Sequence, residues 1–201
     1  MEIQNIDKLR ELYEKPKGRA KVKSLPTLEK HSINFISKSP FLIISTSSKQ
    51  YKMDASPRGG APGFVKVIDN NTIIIPDAKG NNRVDSLSNI TETGQIGLLF
   101  LISGVDETLR INGKALISSN KDYLNLFSSE RKRPKVCLVV TVEEMFLHCA
   151  KALMRSKLWS EETKINRSEL PSMGQMMKDQ LNDDKPVESQ EAMIERYQKD
   201  L

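Results

Sequence analysis

Three short segments of this chain carry residue types that could do chemistry. Asp54 to Lys66 reads DASPRGGAPGFVK. Gly59, Gly60 and Gly63 let the backbone approach a ligand, and Ser56, Arg58 and Lys66 set a hydroxyl and two cations around it. Such a loop suits a flat anionic ligand, and it also makes a good turn. Pro76 to Leu87, PDAKGNNRVDSL, turns at Gly80 and enters a helix near Arg83. Helix-start N–H groups beside Asn81, Asn82 and Arg83 are the ingredients of a phosphate cradle; an ordinary capped helix has the same outline. No Lys-Ser or Lys-Thr follows the glycine, so this is not a nucleotide P-loop. In His148 to Trp159, HCAKALMRSKLW, Lys151, Arg155 and Trp159 recur every four residues and share one helix face. Two cations and an indole can meet a phosphate and a ring system, or they can be a solvated basic helix with its Trp packed inward.

Other chemistries lack material. There is no Gly-x-Ser-x-Gly elbow, and the only histidines are His31 and His148. His148 is the lone acid–base candidate of near-neutral pKa. The two cysteines, Cys137 and Cys149, are too far apart for a zinc knuckle and are expected as reduced, mostly buried thiols. No metal site is expected, and any catalysis would use a reactive group borrowed from a cofactor.

The net charge of +5 favours anionic partners without naming one. Lys15, Lys17, Arg19, Lys21 and Lys23 form one basic run, and Arg131, Lys132, Arg133 and Lys135 another. Aromatic residues are only 5% of the chain, too few for a stacking platform, which argues against nucleic acid. No apolar run approaches the roughly 20 residues needed to cross a bilayer. Met1 to Tyr13 has no signal-peptide core, so a cytoplasmic protein is expected.

The elements that must hold these segments are mostly strands. Thr27 can cap a helix over residues 28–37, and Pro40 blocks its continuation. Residues 41–46 (FLIIST) form an apolar run that suggests a strand buried on both faces. Strands are expected at 64–69 and 72–75, joined by Asn70-Asn71 in a tight hairpin of positive φ. Others are expected at 95–102, 108–118 and 135–147, with short helices at 83–90 and 120–127. In 108–118, Leu109, Ile111, Ala115 and Ile117 alternate with Arg110, Asn112 and Lys114. Closely spaced strands with brief helices argue for an antiparallel barrel. The expected organisation is a polar lead-in over 1–26, a barrel over 27–159 and a helical extension over 160–201. That extension carries one apolar stripe of Met173, Met176, Met177 and Leu181 and another of Ile194, Tyr197 and Leu201, suited to packing on the barrel or a second subunit.

At these segments the sequence resembles the pyridoxamine 5′-phosphate oxidase-related family of FMN-binding split barrels. The resemblance is to the branch marked by DASPRGGxPGFV, IPDxxGNxRxDSLxNI, LRINGxA and CxKALxRSxLW, found here at Asp54–Val65, Ile75–Ile90, Leu109–Ala115 and Cys149–Trp159. The four motifs stand in matching order and spacing, and the similarity runs from about Leu9 into the tail, so nearly the whole chain is covered. The resemblance implies a mainly β, antiparallel Greek-key split barrel with flanking helices, and a homodimer with FMN at the subunit interface. It implies that Ser56, Arg58 and Lys66 lie along the flavin and that Pro76, Asp77, Asn82 and Arg83 meet the ribityl phosphate. Lys151, Arg155 and Trp159 would complete the pocket from the partner subunit. The implied activity is an FMN-dependent oxidoreductase passing electrons from a reduced donor to a small-molecule acceptor; the alternative is a non-catalytic flavin or tetrapyrrole carrier or stress-related protein. The chain ends in KDL rather than in the family's Arg-Leu-His type segment, which sets vitamin B6 oxidation apart from the flavin site.

Overall fold

Seven strands, all antiparallel, form one sheet in the order β2-β1-β5-β6-β7-β4-β3. The computed structural model describes residues 2–200. The strands are β1 (Phe41–Ser47), β2 (Met53–Gly59), β3 (Lys66–Val67), β4 (Thr72–Pro76), β5 (Gln95–Ile102), β6 (Val105–Ser118) and β7 (Cys137–His148). The helices are α1 (Ile6–Leu12), α2 (Arg19–Val22), α3 (Lys30–Lys38), α4 (Asp85–Thr93), α5 (Lys121–Asn125), α6 (Lys151–Ser156), α7 (Met173–Leu181) and α8 (Gln190–Gln198). The result is a mainly β split barrel with flanking helices. Its core is formed by alternate residues such as Leu42, Ile44, Ile73, Ile75, Leu98, Phe100, Leu109, Ile111 and Val140. On the opposite face of β4, Ile74 packs under the fully buried Phe127 and beside Cys137.

Several elements differ from the sequence expectations. Residues 53–59 are a strand rather than a loop, paired residue for residue with β1. The strand at 64–69 contracts to Lys66–Val67. β1 buries only one face, because Leu42, Ile44 and Thr46 point inward while Phe41 stays exposed. Asn70 and Asn71 do not take positive φ. Their turn is held by Asp69, whose Oδ1 accepts from Asn71 N at 2.7 Å. Thr27 does not cap α3. Leu28 N donates to Asn70 O at 2.8 Å, which pins the chain there, and Glu29 caps the helix by accepting from His31 N and Ser32 N. Cys149 is exposed, not buried. No described helix is long and apolar enough to cross a membrane.

β7 switches the parity of its inward side chains midway. Leu138, Val140 and Val142 are buried, and then Met145 is, because one extra residue bulges between Val142 and Glu144 opposite Asn112–Gly113. Gly113 makes the bulge possible: a Cβ there would lie 2.0 Å from Thr141 O. Beyond the bulge β7 has outrun β4. Leu25 takes over that edge by exchanging main-chain hydrogen bonds with Met145 at 2.9 and 2.8 Å, so the lead-in is partly tied to the sheet.

In the C-terminal extension Met173, Met177, Leu181, Ile194 and Tyr197 are exposed in the single chain. Leu201, the last residue of the second apolar stripe, lies outside the described residues. Arg131 Nη1 donates to Gln198 O, and Asp200 pairs with Lys79 and Lys132, which ties the end of α8 to the body through charge.

Gly113→Ala is expected to destabilise the fold by about 3 kcal/mol or more, because a backbone oxygen cannot yield as a flexible side chain can. The denaturant midpoint checks this; an unchanged midpoint would mean the bulge can relax.

Candidate functional site

β2 is an edge strand whose inward face is polar. Asp54, Ser56 and Arg58 are half-buried and alternate with exposed Met53, Ala55, Pro57 and Gly59. Their register partners on β1 are Thr46, Ile44 and Leu42, all core residues, so the polar row continues the core face to the rim of the sheet. Pro57 is tolerated because an edge strand has one side without ladder bonds.

Across the split from this row runs the segment from Pro76 to Ser86. Arg58 Nη2 stands 3.8 Å from Asp77 Oδ1, and both side chains are about three-quarters buried. Asp77 N donates to Val136 O at 3.1 Å, which holds the end of β4 in place. Ser86, 2% exposed, donates from Oγ to Asp54 Oδ2 at 2.6 Å. Ser56 Oγ donates to the same carboxylate at 3.0 Å. Asp54 thus fastens the first turn of α4 to β2.

The entry to α4 is unusual. The sequence places the helix start near Arg83, but the helix begins at Asp85, because Asn82 and Val84 both take left-handed backbone (φ 62° and 52°). A β-branched residue rarely adopts that conformation. No side chain caps the helix, so its first N–H groups are open to a ligand. Arg83 stands beside this start, exposed, with Nε 2.8 Å from Asp85.

Lys66 goes elsewhere. It lies opposite Ile74, and its amine donates to Gly63 O at 2.9 Å and stands 5.8 Å from the Phe127 ring centre. It lines a surface cleft of about 300 Å3 with Ile33, Val65 and Leu126. Lys151, Arg155 and Trp159 lie at the far end of β7 from Pro76. Cys137 pairs with Pro76, whereas α6 follows His148, eleven residues further and about 35 Å along the strand. Lys151 and Arg155 are exposed on α6, and Trp159 Nε1 donates to Val105 O at 3.0 Å. One chain therefore brings together Ser56, Arg58, Pro76, Asp77, Asn82 and Arg83, and among the described residues no hydrogen bond or ion pair joins the α6 group to them. Asp54 and Ser86, which organise the site, are absent from the sequence reading. The alternation Asp54-x-Ser56-x-Arg58 was the available signal.

The model of the pyridoxamine 5′-phosphate oxidase family matches residues 28–149, which is most of the chain and the whole barrel. The chain belongs to this family. Two structures of HupZ from Group A Streptococcus superpose with a TM-score of 0.51 at 16% identity, over 60% of this chain and 98% and 93% of theirs. These likenesses show the fold. A putative pyridoxamine 5′-phosphate oxidase from Lactobacillus delbrueckii gives a TM-score of 0.48 at 15% identity, over 61% of this chain and 95% of that one. No curated protein sequence matches.

Burial pushes the Asp77 carboxyl above its ordinary range, and the Arg58 guanidinium pulls it partly back. A carboxyl with a higher pKa folded than unfolded binds its proton more tightly in the folded state. Ionising it, as pH rises from the unfolded to the folded value, costs stability. Asp77→Asn is therefore expected to match or exceed the parent's thermal midpoint at neutral pH, with the gain shrinking in acid. A lower midpoint at neutral pH would mean that pairing with Arg58 outweighs burial.

Proposed function

We propose that the protein is a homodimeric FMN-binding flavoprotein with oxidoreductase activity, its cofactor seated along the split between β2 and the entry of α4. The observation that carries this reading is the meeting of the inward Ser56–Arg58 row with an uncapped helix start beside Arg83, joined through Asp54 and Ser86. These residues fit the group. Open N–H groups and a guanidinium suit a phosphate dianion, and strained backbone at Val84 is the sort of feature that persists where a ligand site requires it.

In this reading Asn82, Arg83 and the first turn of α4 hold the phosphate, with Pro76 and Asp77 beside the ribityl chain. Ser56 and Arg58 orient the ring edge, and Arg58, released from Asp77 or shared with it, balances negative charge there. Lys66 keeps a place only at the margin, since its amine turns toward Gly63 and Phe127. Lys151, Arg155 and Trp159 reach the cleft from a second copy, a reading supported by their place at the far end of β7 from Pro76. FMN, when bound, supplies reversible electron transfer that no side chain of this protein provides. Residues of the chain bind and orient it and limit the access of water.

The test is FMN titration of the purified protein, followed by absorption and by quenching of flavin fluorescence. The parent should bind FMN more tightly than riboflavin, and Arg83→Ala should weaken FMN by about 10- to 100-fold while changing riboflavin little. Failure of the parent to bind any flavin would sink the reading. Sharing of the site between subunits has its own signature. Arg83→Ala and Arg155→Ala proteins, each weak alone, should recover parental affinity at one site per mixed dimer; no recovery on mixing would place both halves in one chain.

A further inference from the structure

The basic run that ends at Lys23 and the lone candidate acid–base residue His148 have no part in the flavin reading, yet the fold brings them together. Leu25 is bridged to Met145, and Ser24 Oγ donates to Glu144 Oε1 at 2.8 Å. This anchoring lays Lys23 on the outer face of β6 and β7, where its amine donates to Leu147 O at 3.1 Å and sits 4.5 Å from the centre of the Phe146 ring. Arg110 is the register partner of Phe146, and its guanidinium carbon is 5.6 Å from the same ring centre. His148, two residues along β7 and so on the same face, has its ring centre 4.9 Å from that of Phe146 at 48°. Three nitrogen-bearing side chains from three elements thus surround one half-buried phenyl ring.

The arrangement is not neutralised from within. Among the described residues no carboxylate lies within 4.0 Å of Lys23 or Arg110. Glu144, whose carboxylate lies closest to Arg110 along β7, is engaged by Ser24 and by Asn112, whose Nδ2 donates to Oε2 at 2.6 Å. Burial, then Lys23 and Arg110, hold His148 below its ordinary pKa, so the imidazole is neutral at neutral pH. Lys23 and Arg110 set against Glu144 leave one net positive charge among these three groups, which suits a monoanion.

We propose that Lys23, Arg110 and His148 form a binding site for a carboxylate ligand, its carboxylate held between the two cations beside the imidazole. The guanidinium and ammonium supply charge-assisted hydrogen bonds, and the Phe146 ring beneath them holds the two cations in place. The N-terminal arm completes the site, which gives the basic run a function at its last residue. The test reads carboxylate binding without flavin, so its failure is distinguishable from failure of the reading above.

Histidine NMR on the full chain tests it, since the protein has two histidines and His31 serves as an internal control. Millimolar benzoate should raise the His148 titration midpoint by about one pH unit, because an adjacent anion favours the imidazolium. The His31 midpoint should stay fixed, and benzyl alcohol should move neither. Lys23→Gln and Arg110→Gln, both at exposed positions, should each weaken benzoate by about tenfold. The proposal is overturned if benzoate leaves His148 unmoved, if the shift survives in the double variant, or if phenyl phosphate binds more tightly than benzoate.

Discussion

The hydroxyl of Ser86 donates to Asp54 across the split of the barrel, and the surrounding architecture relies on that contact. A curled antiparallel sheet with β2 at one end and β3 at the other has no ladder hydrogen bonds to join its ends. Here β2 is joined through side chains to the segment that follows β4, at Asp77 and at the first turn of α4. A hydrogen bond to a charged group contributes about 1.5–3 kcal/mol, whereas Arg58 and Asp77 stand 3.8 Å apart, beyond hydrogen-bond range. Asp54 is therefore the stronger clasp, and Arg58 is the group that can be reassigned to a ligand at little cost. A closed apolar seam would be more stable but would leave no cleft.

Where local pattern decides structure, the sequence is a good guide. The apolar run at 95–102 and the alternation at 108–118 are strands because their side chains have only one buried face to choose. β2 was hidden because Gly, Pro, Asp and Ser have poor strand propensity; its conformation is imposed by pairing with β1. The start of α3 shifts from Thr27 to Glu29 for a similar reason, since the bond from Leu28 N to Asn70 O spans two distant parts of the chain. Neither fact is local, and neither can be read from a window.

The candidate site divides in the same way. The residue types at 54–58 and 76–83 are of kinds that suit an anionic ligand, and the structure brings them to one rim. The distance between that rim and α6 depends on the register of β7 against β4 and on the length β7 runs beyond it. Motif order along the chain carries no such information. The ring of Phe146 escaped notice likewise, because its neighbours come from an arm, β6 and β7, and meet only after the bulge at Gly113 has turned β7.

Pro57 has a consequence for how copies of this chain can meet. It sits in the middle of β2 and offers no N–H to a neighbouring strand, while the opposite end of the sheet is only the two residues of β3. Neither edge can template strand addition. Continuous sheets across molecules are thereby disfavoured, and association is steered toward faces and helices, where a neighbour stops at one partner instead of recruiting the next.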